Sequence, residues 1–154
     1  MTISSQRAIF LGGPFKSLVS VETGEMHAPD QARFQGLIHF FEQRGLRVFN
    51  AHRRELWGRE FMKPEECTRL DFEEIQSSDA FVAFPGAPAS PGTHVELGWA
   101  SAMRKPVILL LEEGKEYAFL VRGLHTVTDV TSIYYKPGED LTLPLKAALE
   151  RLGL

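Results

Sequence analysis

Two almost uninterrupted apolar runs, at residues 80–84 and 107–111, constrain the fold of this chain more than any other feature. Each run has the length of a single strand, and neither alternates apolar with polar residues. Such strands are covered on both faces, as is typical of the centre of a parallel sheet. Because parallel strands need long crossover connections, which are usually helices, the two runs predict an α/β fold.

The rest of the chain supplies the other elements of that fold. Three further strands, the last more polar and therefore nearer an edge, are predicted at residues 8–11, 48–49 and 126–134. Apolar spacing and capping residues, with Asp30 capping the first, predict helices over residues 30–44, 64–76, 93–103 and 141–152. Neither a repeat nor a linker-like segment interrupts residues 1–154, so we expect one domain. Ligands of parallel sheets bind beyond the carboxyl ends of the strands, which directs attention to the segments that follow them.

Charge and composition argue against several classes of protein. The net charge of −3 provides no basic field to hold a nucleic acid. The longest strongly apolar stretch, residues 107–111, is far shorter than the roughly 20 residues of a membrane-spanning helix. Residues 1–7 show no apolar segment after a charge, so we expect no signal peptide. The single cysteine, Cys67, cannot form an intramolecular disulfide and fits a reducing cytoplasm, where we expect the protein to reside.

Asp71 stands out because it lies in an apolar stripe. On the helix predicted over residues 64–76, it shares one face with Cys67 and Ile75. A carboxylate in such a stripe is unfavourable unless it is hydrogen-bonded or has a function. A position at the edge of the stripe, from which the side chain reaches water or a backbone amide, explains it equally well.

Glu96 is the only charged residue in the segment 80–103. Residues 93–96 match the S/T-x-x-E capping box, in which the glutamate only caps the helix. The helix dipole favours an anion in either case, so we expect Glu96 to be ionised and able to act as a nucleophile. His94 and Glu96 also match half of a zinc deaminase signature, but the downstream cysteine pair that this site needs is missing.

The loop after the first strand can approach an anion. It matches neither GxGxxG nor a Walker A loop, so a dinucleotide or nucleoside triphosphate site is unsupported. Gly12 and Gly13 nevertheless let backbone amides come close to an anion, and Lys16 adds a positive charge. Phe15 offers a flat face to a base. A core phenylalanine and a solvated lysine are the alternative interpretation.

Two further positions after strands are candidates for binding. In the small-residue loop of residues 85–92, Ser90 and Gly92 can present a hydroxyl and amides to a phosphate at the following helix start. His52 lies just after the second strand, although a lone histidine is more often structural or exposed.

These segments together resemble the nucleoside 2-deoxyribosyltransferase-like superfamily from Ile9 to Tyr134. The residues that carry the resemblance are IFLGGPF at residues 9–15, the D-x3-I-x3-D pattern at residues 71–79, and SPGTHVELG at residues 90–98. The resemblance implies a single Rossmann-like, flavodoxin-like domain with a five-stranded parallel sheet flanked by helices. It also implies that Glu96 attacks C1′ of a nucleoside and that Asp71 is an active-site acid.

The residue six positions before Glu96 suggests a branch of the superfamily. Nucleoside transferases typically have a base-contacting aspartate there, whereas the branch that hydrolyses nucleoside 5′-monophosphates has a serine that contacts phosphate. This chain has Ser90, and a hydroxyl accepts a phosphate dianion that a carboxylate would repel. His52 matches a histidine of the same branch. Residues 12–15 and 65–72 are most similar to the cytidine monophosphate hydrolases of peptidyl-nucleoside antibiotic pathways.

The resemblance therefore implies hydrolysis of a pyrimidine nucleoside 5′-monophosphate, CMP or a 5-substituted CMP, without a metal or an organic cofactor. The expected binding residues are Gly12, Gly13, Phe15, Lys16, His52, Ser90 and Gly92. A homodimer or a dimer of dimers with shared sites is expected, with Thr126 and Thr128 entering the neighbour's site. A nucleoside 2′-deoxyribosyltransferase, a 2′-deoxynucleoside 5′-monophosphate hydrolase and a non-catalytic nucleotide sensor remain open as alternatives.

Overall fold

A five-stranded parallel sheet with strand order β2-β1-β3-β4-β5 forms the centre of the computed structural model, which describes residues 5–154. Its strands are β1 (Ala8–Gly12), β2 (Arg47–Phe49), β3 (Ala80–Ala83), β4 (Val107–Glu112) and β5 (Val130–Tyr135). This is the strand order of flavodoxin-like doubly wound folds, so the predicted fold class is confirmed. Residues 1–4, the start of the segment in which no signal peptide is expected, lie outside the described residues.

Helices cover both faces of the sheet. Between residues 5 and 154 they are α1 (Ala28–Gln43), α2 (Ala51–Arg54), α3 (Pro64–Ser77), α4 (Pro91–Ala102), α5 (Phe119–Arg122) and α6 (Thr142–Arg151). The packing clusters show that α1 and α6 cover one face, while α3, α4 and α5 cover the other. None of the helices in the described part of the chain is long and apolar enough to cross a membrane.

The central strands supply side chains to both cores. In β1, Ile9 and Leu11 face α1 and α6, whereas Phe10 packs on the opposite side. In β4, Ile108 faces α1 and α6, and Leu109 faces the other helices. This burial on both sides explains why these strands are uninterrupted apolar runs rather than alternating ones.

Helix α1 shows what the sequence predicts well and what it predicts less well. Its apolar stripe is buried as predicted, at Phe34, Leu37, Ile38 and Phe41. The helix begins at Ala28, however, so Asp30 lies in its first turn rather than at the N-cap, which is His27. Pro29 in the first helical positions favours this earlier start because its missing amide needs no partner there.

The last strand occupies an edge of the sheet, as predicted, but it begins at Val130 rather than at residue 126. The segment Leu124–Thr126 forms a 3-10 turn instead. The Thr128 hydroxyl then donates a hydrogen bond of 2.7 Å to the Lys105 carbonyl. The polar, β-branched residues before Val130 therefore belong to the connection and not to the strand.

Candidate active site

Helix α4 begins just beyond β3 and carries Glu96 in its second turn. Its N-cap is Ser90, whose Oγ accepts a hydrogen bond from the Thr93 amide (3.4 Å). Because the helix starts at Pro91, Glu96 lies beyond the third helical position from which a capping box is closed. The hypothesis that Glu96 caps the helix is therefore wrong.

The Glu96 carboxyl group lies against the end of β1. A Cβ atom on Gly12 would be only 2.9 Å from Glu96 Oε2 and 2.9 Å from the Phe81 ring, so residue 12 has no room for a side chain. Oε2 is enclosed and has no hydrogen-bond partner among the described residues. The Glu96 side chain thus places this oxygen in an enclosed position at the C-terminal ends of the strands, without a hydrogen bond from the described residues.

The ionisation of Glu96 differs from the prediction. Burial, together with the negative charge of Asp71, raises the pKa of Glu96 to about 8, although Arg54 acts in the opposite direction. The expectation that Glu96 is ionised in the free protein at neutral pH is therefore wrong. Loss of hydration outweighs the favourable helix dipole, because the dipole acts mainly within the first turn.

Asp71 lies on α3, which packs against α4. Its side chain is 13% exposed, and its Oδ1 accepts a short hydrogen bond of 2.6 Å from Arg54 Nη2. Burial raises the pKa of Asp71, and the Arg54 guanidinium opposes this rise. The partner of this carboxylate is thus a mostly enclosed guanidinium group rather than water or a backbone amide. The negative charge of Asp71 acts on Glu96.

Arg54 is a site residue that the sequence analysis does not identify. It is the last residue of α2, and its side chain is only 19% exposed. Besides Asp71, it contacts Glu74 Oε2 (2.7 Å) and lies 3.9 Å from Glu55 Oε2. In the sequence, Arg54 lies within a charged segment that resembles an exposed surface. The one available signal is that it lies just after the second strand.

His52 supports a loop and offers no free nitrogen to a substrate. Its Nε2 donates to the Pro14 carbonyl (2.9 Å), and its Nδ1 accepts from Asn50 Nδ2 (2.9 Å). Its ring stacks on Phe34 with the centroids 4.0 Å apart. Burial lowers the pKa of His52 to about 4, so the ring is neutral. These contacts correct the expectation that His52 binds the substrate directly: it fixes the loop that carries Phe15.

Phe15 and its neighbours form a partly exposed aromatic surface. The Phe15 ring lies 4.6 Å from His52 and 5.0 Å from Phe61, measured between centroids. The exposed Lys16 places its Nζ 5.6 Å from the Phe61 ring centroid. Gly13 lies behind this surface, where a Cβ would be 3.0 Å from the Phe34 ring. The loop therefore brings an aromatic face and a cation close together.

Ser90 and Gly92 lie at the start of α4. The Ser90 Oγ accepts hydrogen bonds from the amide and from the hydroxyl of Thr93, so its own hydroxyl hydrogen remains available for a ligand. Gly92 is in the first turn, where amides have no intrahelical partner. A Cβ on Gly92 would meet nothing within 4 Å, so any contribution of this residue comes from its amide.

Comparison with known proteins identifies the family. The family model for nucleoside 2-deoxyribosyltransferases matches residues 23–147, which include both Asp71 and Glu96. The chain belongs to the nucleoside 2-deoxyribosyltransferase family. Comparison with the curated proteins finds no match.

Solved structures of similar proteins extend this assignment. BcmB, a CMP N-glycosidase from Clostridium botulinum, is 40% identical over 93% of this chain and 100% of its own, with a TM-score of 0.72. BlsM is 54% identical over 96% of this chain and 91% of its own, with a TM-score of 0.82. A 2-deoxyribosyltransferase from Bacillus psychrosaccharolyticus is 21% identical over 94% and 95% of the two chains, with a TM-score of 0.64, and shares the fold.

Two residues expected from the resemblance to this family lie away from Glu96 in their own chain. Thr128 is buried near the amino-terminal edge of the sheet, where its hydroxyl is bonded to the Lys105 carbonyl. Thr126 is exposed, but its hydroxyl donates to the Gly123 carbonyl (2.8 Å). Both hydroxyls donate within their own chain, and the contribution of these two residues to a neighbour's site stays a prediction.

The acidic residues of this family member do not form a metal centre in the structure. Across residues 5–154, no group of three or more His, Cys, Asp or Glu side chains is arranged to hold a metal ion. Arg54 lies among the carboxylates of the site instead.

Proposed function

We propose that this protein hydrolyses the N-glycosidic bond of a pyrimidine nucleoside 5′-monophosphate, CMP or a 5-substituted CMP, to the free base and ribose 5-phosphate. The observation that carries the proposal is the enclosed Glu96 carboxyl near Asp71. One of its oxygens lies beside Gly12 and has no hydrogen-bond partner within residues 5–154. A buried polar atom without a partner is unfavourable, which favours a role for it with a ligand. The 40% identity to a CMP N-glycosidase supports this class of substrate.

The chemistry that we propose uses one proton shared by two carboxyl groups. Between the pKa values of Asp71 and Glu96, the pair holds a single proton, mainly on Glu96. When substrate binds, this proton moves to Asp71 and from there to the departing base, while ionised Glu96 attacks C1′. The C1′–N bond breaks with its electron pair going to the base, and a ribosyl ester of Glu96 forms.

Water completes the reaction in the second step. It attacks C1′ of the ester, the bond between C1′ and the Glu96 oxygen breaks, and the released proton returns to the carboxyl pair. This sequence restores the starting ionisation state and balances as nucleotide plus water giving base plus ribose 5-phosphate. Retaining glycosidases use two carboxyl groups in the same way.

The phosphate would provide binding energy away from the reacting carbon. The N-terminus of α4, a helix of 12 residues, favours an anion, and the free Ser90 hydroxyl and the Gly92 amide lie there. Lys16 adds a positive charge from the loop after β1, next to the aromatic surface of Phe15 and Phe61 that would receive the base. Holding both ends of the nucleotide would position C1′ against Glu96.

We further propose a homodimer whose subunits meet near the site. Phe119 and Leu120 on α5 are each 85% exposed, on the same side of the sheet as α3 and α4. Phe72 on α3 and Val95 on α4 are also exposed. Exposed apolar side chains on one side of the sheet favour an interaction surface there. Light scattering should give twice the monomer mass, and Leu120→Asp should give a monomer. A monomeric wild-type protein would overturn this part of the proposal.

The cellular setting is part of the same proposal. Cys67 is a free thiol, as expected of a protein that works in a reducing cytoplasm. The resemblance of residues 12–15 and 65–72 to cytidine monophosphate hydrolases suggests a role in the biosynthesis of a nucleoside antibiotic.

The decisive experiment incubates the purified protein with a panel of ribo- and deoxyribonucleoside 5′-monophosphates and follows released base by chromatography. We expect cytosine and ribose 5-phosphate from CMP, with less release from purine nucleotides. A parallel reaction with an added acceptor base detects transfer, which would favour a transferase. Preference for dCMP would favour the deoxynucleotide hydrolase. Release of no base from any nucleotide would contradict an enzymatic function and favour a nucleotide sensor.

A further inference from the structure

We infer that Arg54 is a positioning residue of this site, which holds the Asp71 carboxylate in place and in its charged form next to Glu96. The inference rests on the proposed function and adds a residue from α2, Arg54, that the sequence analysis does not identify. Arg54 does not touch the proposed reacting atoms. It acts through Asp71.

The direction of the Arg54 side chain is set by the start of α2. Asn50 is the N-cap of this short helix and accepts a hydrogen bond from the Arg53 amide (2.8 Å). Its side-chain amide also donates to the Leu11 carbonyl (2.9 Å), which ties α2 to the carboxyl end of β1. The helix is thus fixed to the same strand end that presents Gly12 to Glu96. Its last residue, Arg54, points from there to α3.

The guanidinium group of Arg54 binds two carboxylates of α3 at once. Nη2 donates to Asp71 Oδ1 at 2.6 Å, and Nη1 donates to Glu74 Oε2 at 2.7 Å. The two acidic residues are three positions apart and lie on neighbouring points of the same helix face. A planar fork with separate donors can hold both, whereas the single ammonium group of a lysine cannot reproduce this geometry.

Arg54 Nε is enclosed without a hydrogen-bond partner in the part of the chain that the structure describes. The side chain therefore satisfies its two terminal nitrogens at the expense of the third. The two terminal nitrogens are thus the ones that hold the carboxylates.

The charges around Arg54 make it the counterion of an acidic cluster. The titratable and charged groups that face it or its partners are Glu55 on its own segment, Asp71, Glu74 and Cys67 on α3, Glu96 on α4, and His52, Lys16 and Arg47 nearby. Of the described cations, Arg54 is the one that forms a salt bridge with Asp71. Without it, Asp71 would take up a proton more readily, because a buried carboxylate would lose its opposite charge.

This dependence has a consequence for the reaction. The proposed mechanism needs a pair that holds one proton, and a second proton on Asp71 would leave no carboxylate to attack C1′. Arg54 delays that second protonation as the pH falls. It also orients Asp71 by occupying Oδ1, which leaves Oδ2 for the substrate.

The test compares Arg54→Met and Arg54→Lys with a matched control, Arg53→Met. Arg53 is the preceding residue of the same helix, but its guanidinium binds Glu42 on the surface (2.7 Å). For Arg54→Met we expect kcat for CMP to fall on the order of 10²-fold with KM nearly unchanged. The acid limb of the pH profile of kcat/KM should move up by about one pH unit. Arg54→Lys should keep the limb in place and lower kcat, and Arg53→Met should change neither.

The outcomes separate this inference from the proposed function. If the wild-type protein releases base and Arg54→Met retains its kcat and pH profile, the inference is overturned while the proposed function stands. The same holds if Arg53→Met shows equal losses. If the wild type releases no base, both fall together. Circular dichroism and thermal melting show whether each variant folds. If Arg54→Met does not fold, an unchanged kcat in Arg54→Lys overturns the inference by itself.

Discussion

The carboxyl groups at the two ends of the parallel strands have opposite environments. At the amino-terminal edge, Asp79 accepts hydrogen bonds from the Ala8 amide (2.8 Å) and from Arg7 (3.1 Å), and Thr128 donates to a backbone carbonyl. At the carboxyl-terminal edge, Glu96 Oε2 is enclosed without a partner within residues 5–154. Buried carboxylate oxygens are normally paired, so the unpaired oxygen of Glu96 favours a ligand at the carboxyl-terminal edge.

Asp71 and Asp79 show the same contrast within one sequence motif. Both belong to the D-x3-I-x3-D pattern, and Ile75 between them is fully buried. Asp79 bonds to the backbone of β1, whereas Asp71 bonds to the half-buried side chain of Arg54 and acts on Glu96. The role of each aspartate therefore follows from its hydrogen-bond partner and not from its membership of the motif.

The largest expected difference between the edges is in turnover. Glu96→Ala should lower kcat for CMP on the order of 10⁴- to 10⁶-fold, because no nucleophile remains, while calorimetry should still detect CMP binding. Asp79→Ala should leave kcat close to that of the wild type and reduce the free energy of unfolding by about 1–3 kcal/mol. Comparable losses of turnover in both variants would remove the distinction.

The pH dependence of kcat/KM tests whether the carboxyl pair works as a unit. Since the pKa of Glu96 is raised to about 8, the pair loses its single proton above that pH. We expect kcat/KM for CMP to fall roughly tenfold per pH unit beyond this point. In Glu74→Gln this fall in kcat/KM should begin at lower pH, since the Glu74 charge raises the pKa of Glu96. Activity that continues to rise at pH 9 and above would contradict the single-proton mechanism.

Ser90 allows the phosphate contact to be separated from helix capping. Asp and Asn are both good N-cap residues, so Ser90→Asp and Ser90→Asn should preserve the start of α4. Only the aspartate adds a charge that repels phosphate. We expect Ser90→Asp to raise KM for CMP on the order of 10- to 100-fold, with Ser90→Asn changing it much less. Equal KM values for the two variants would exclude a phosphate near Ser90.

The smallest expected effect is on stability. The pKa of Glu96 in the folded protein, about 8, lies above its ordinary value of 4.5, so the folded state retains a proton that the unfolded chain releases in between. Stability should therefore fall as the pH rises through this window. Glu96→Gln should remove that part of the dependence. The measured quantity is the Tm of Glu96→Gln minus the Tm of the wild type. This difference should be larger at pH 9 than at pH 5 by at least 2–4 °C, which corresponds to about 1 kcal/mol. A constant difference would mean that Glu96 is well hydrated.

Much of the fold can be predicted from the sequence because local and global signals agree. The buried runs in β3 and β4 are apolar since both faces are covered, and Pro64 starts α3 where the pattern predicts. The start of β5 is predicted wrongly because its preceding threonines are good strand formers. Their hydrogen bonds in the connection depend on residues distant in the sequence.

The site is less predictable than the fold. Asp71 and Glu96 are conspicuous as acidic residues in apolar surroundings, but the raised pKa of Glu96 depends on burial that no local pattern shows. Arg53 and Arg54 are adjacent and chemically identical, yet one faces Glu42 on the surface and the other is enclosed beside α3. His52 has the same ambiguity, because the partners of its two ring nitrogens are set by tertiary packing.

The close approach of Gly12 to Glu96 has a consequence for substitutions at residue 12. A single methyl group at position 12 would collide with the carboxyl oxygen and with an aromatic ring beneath it. Because the ring is as close as the carboxyl oxygen, shortening residue 96 alone would not make room for a side chain at residue 12. A larger residue at the end of the first strand would therefore require two other side chains to move at once.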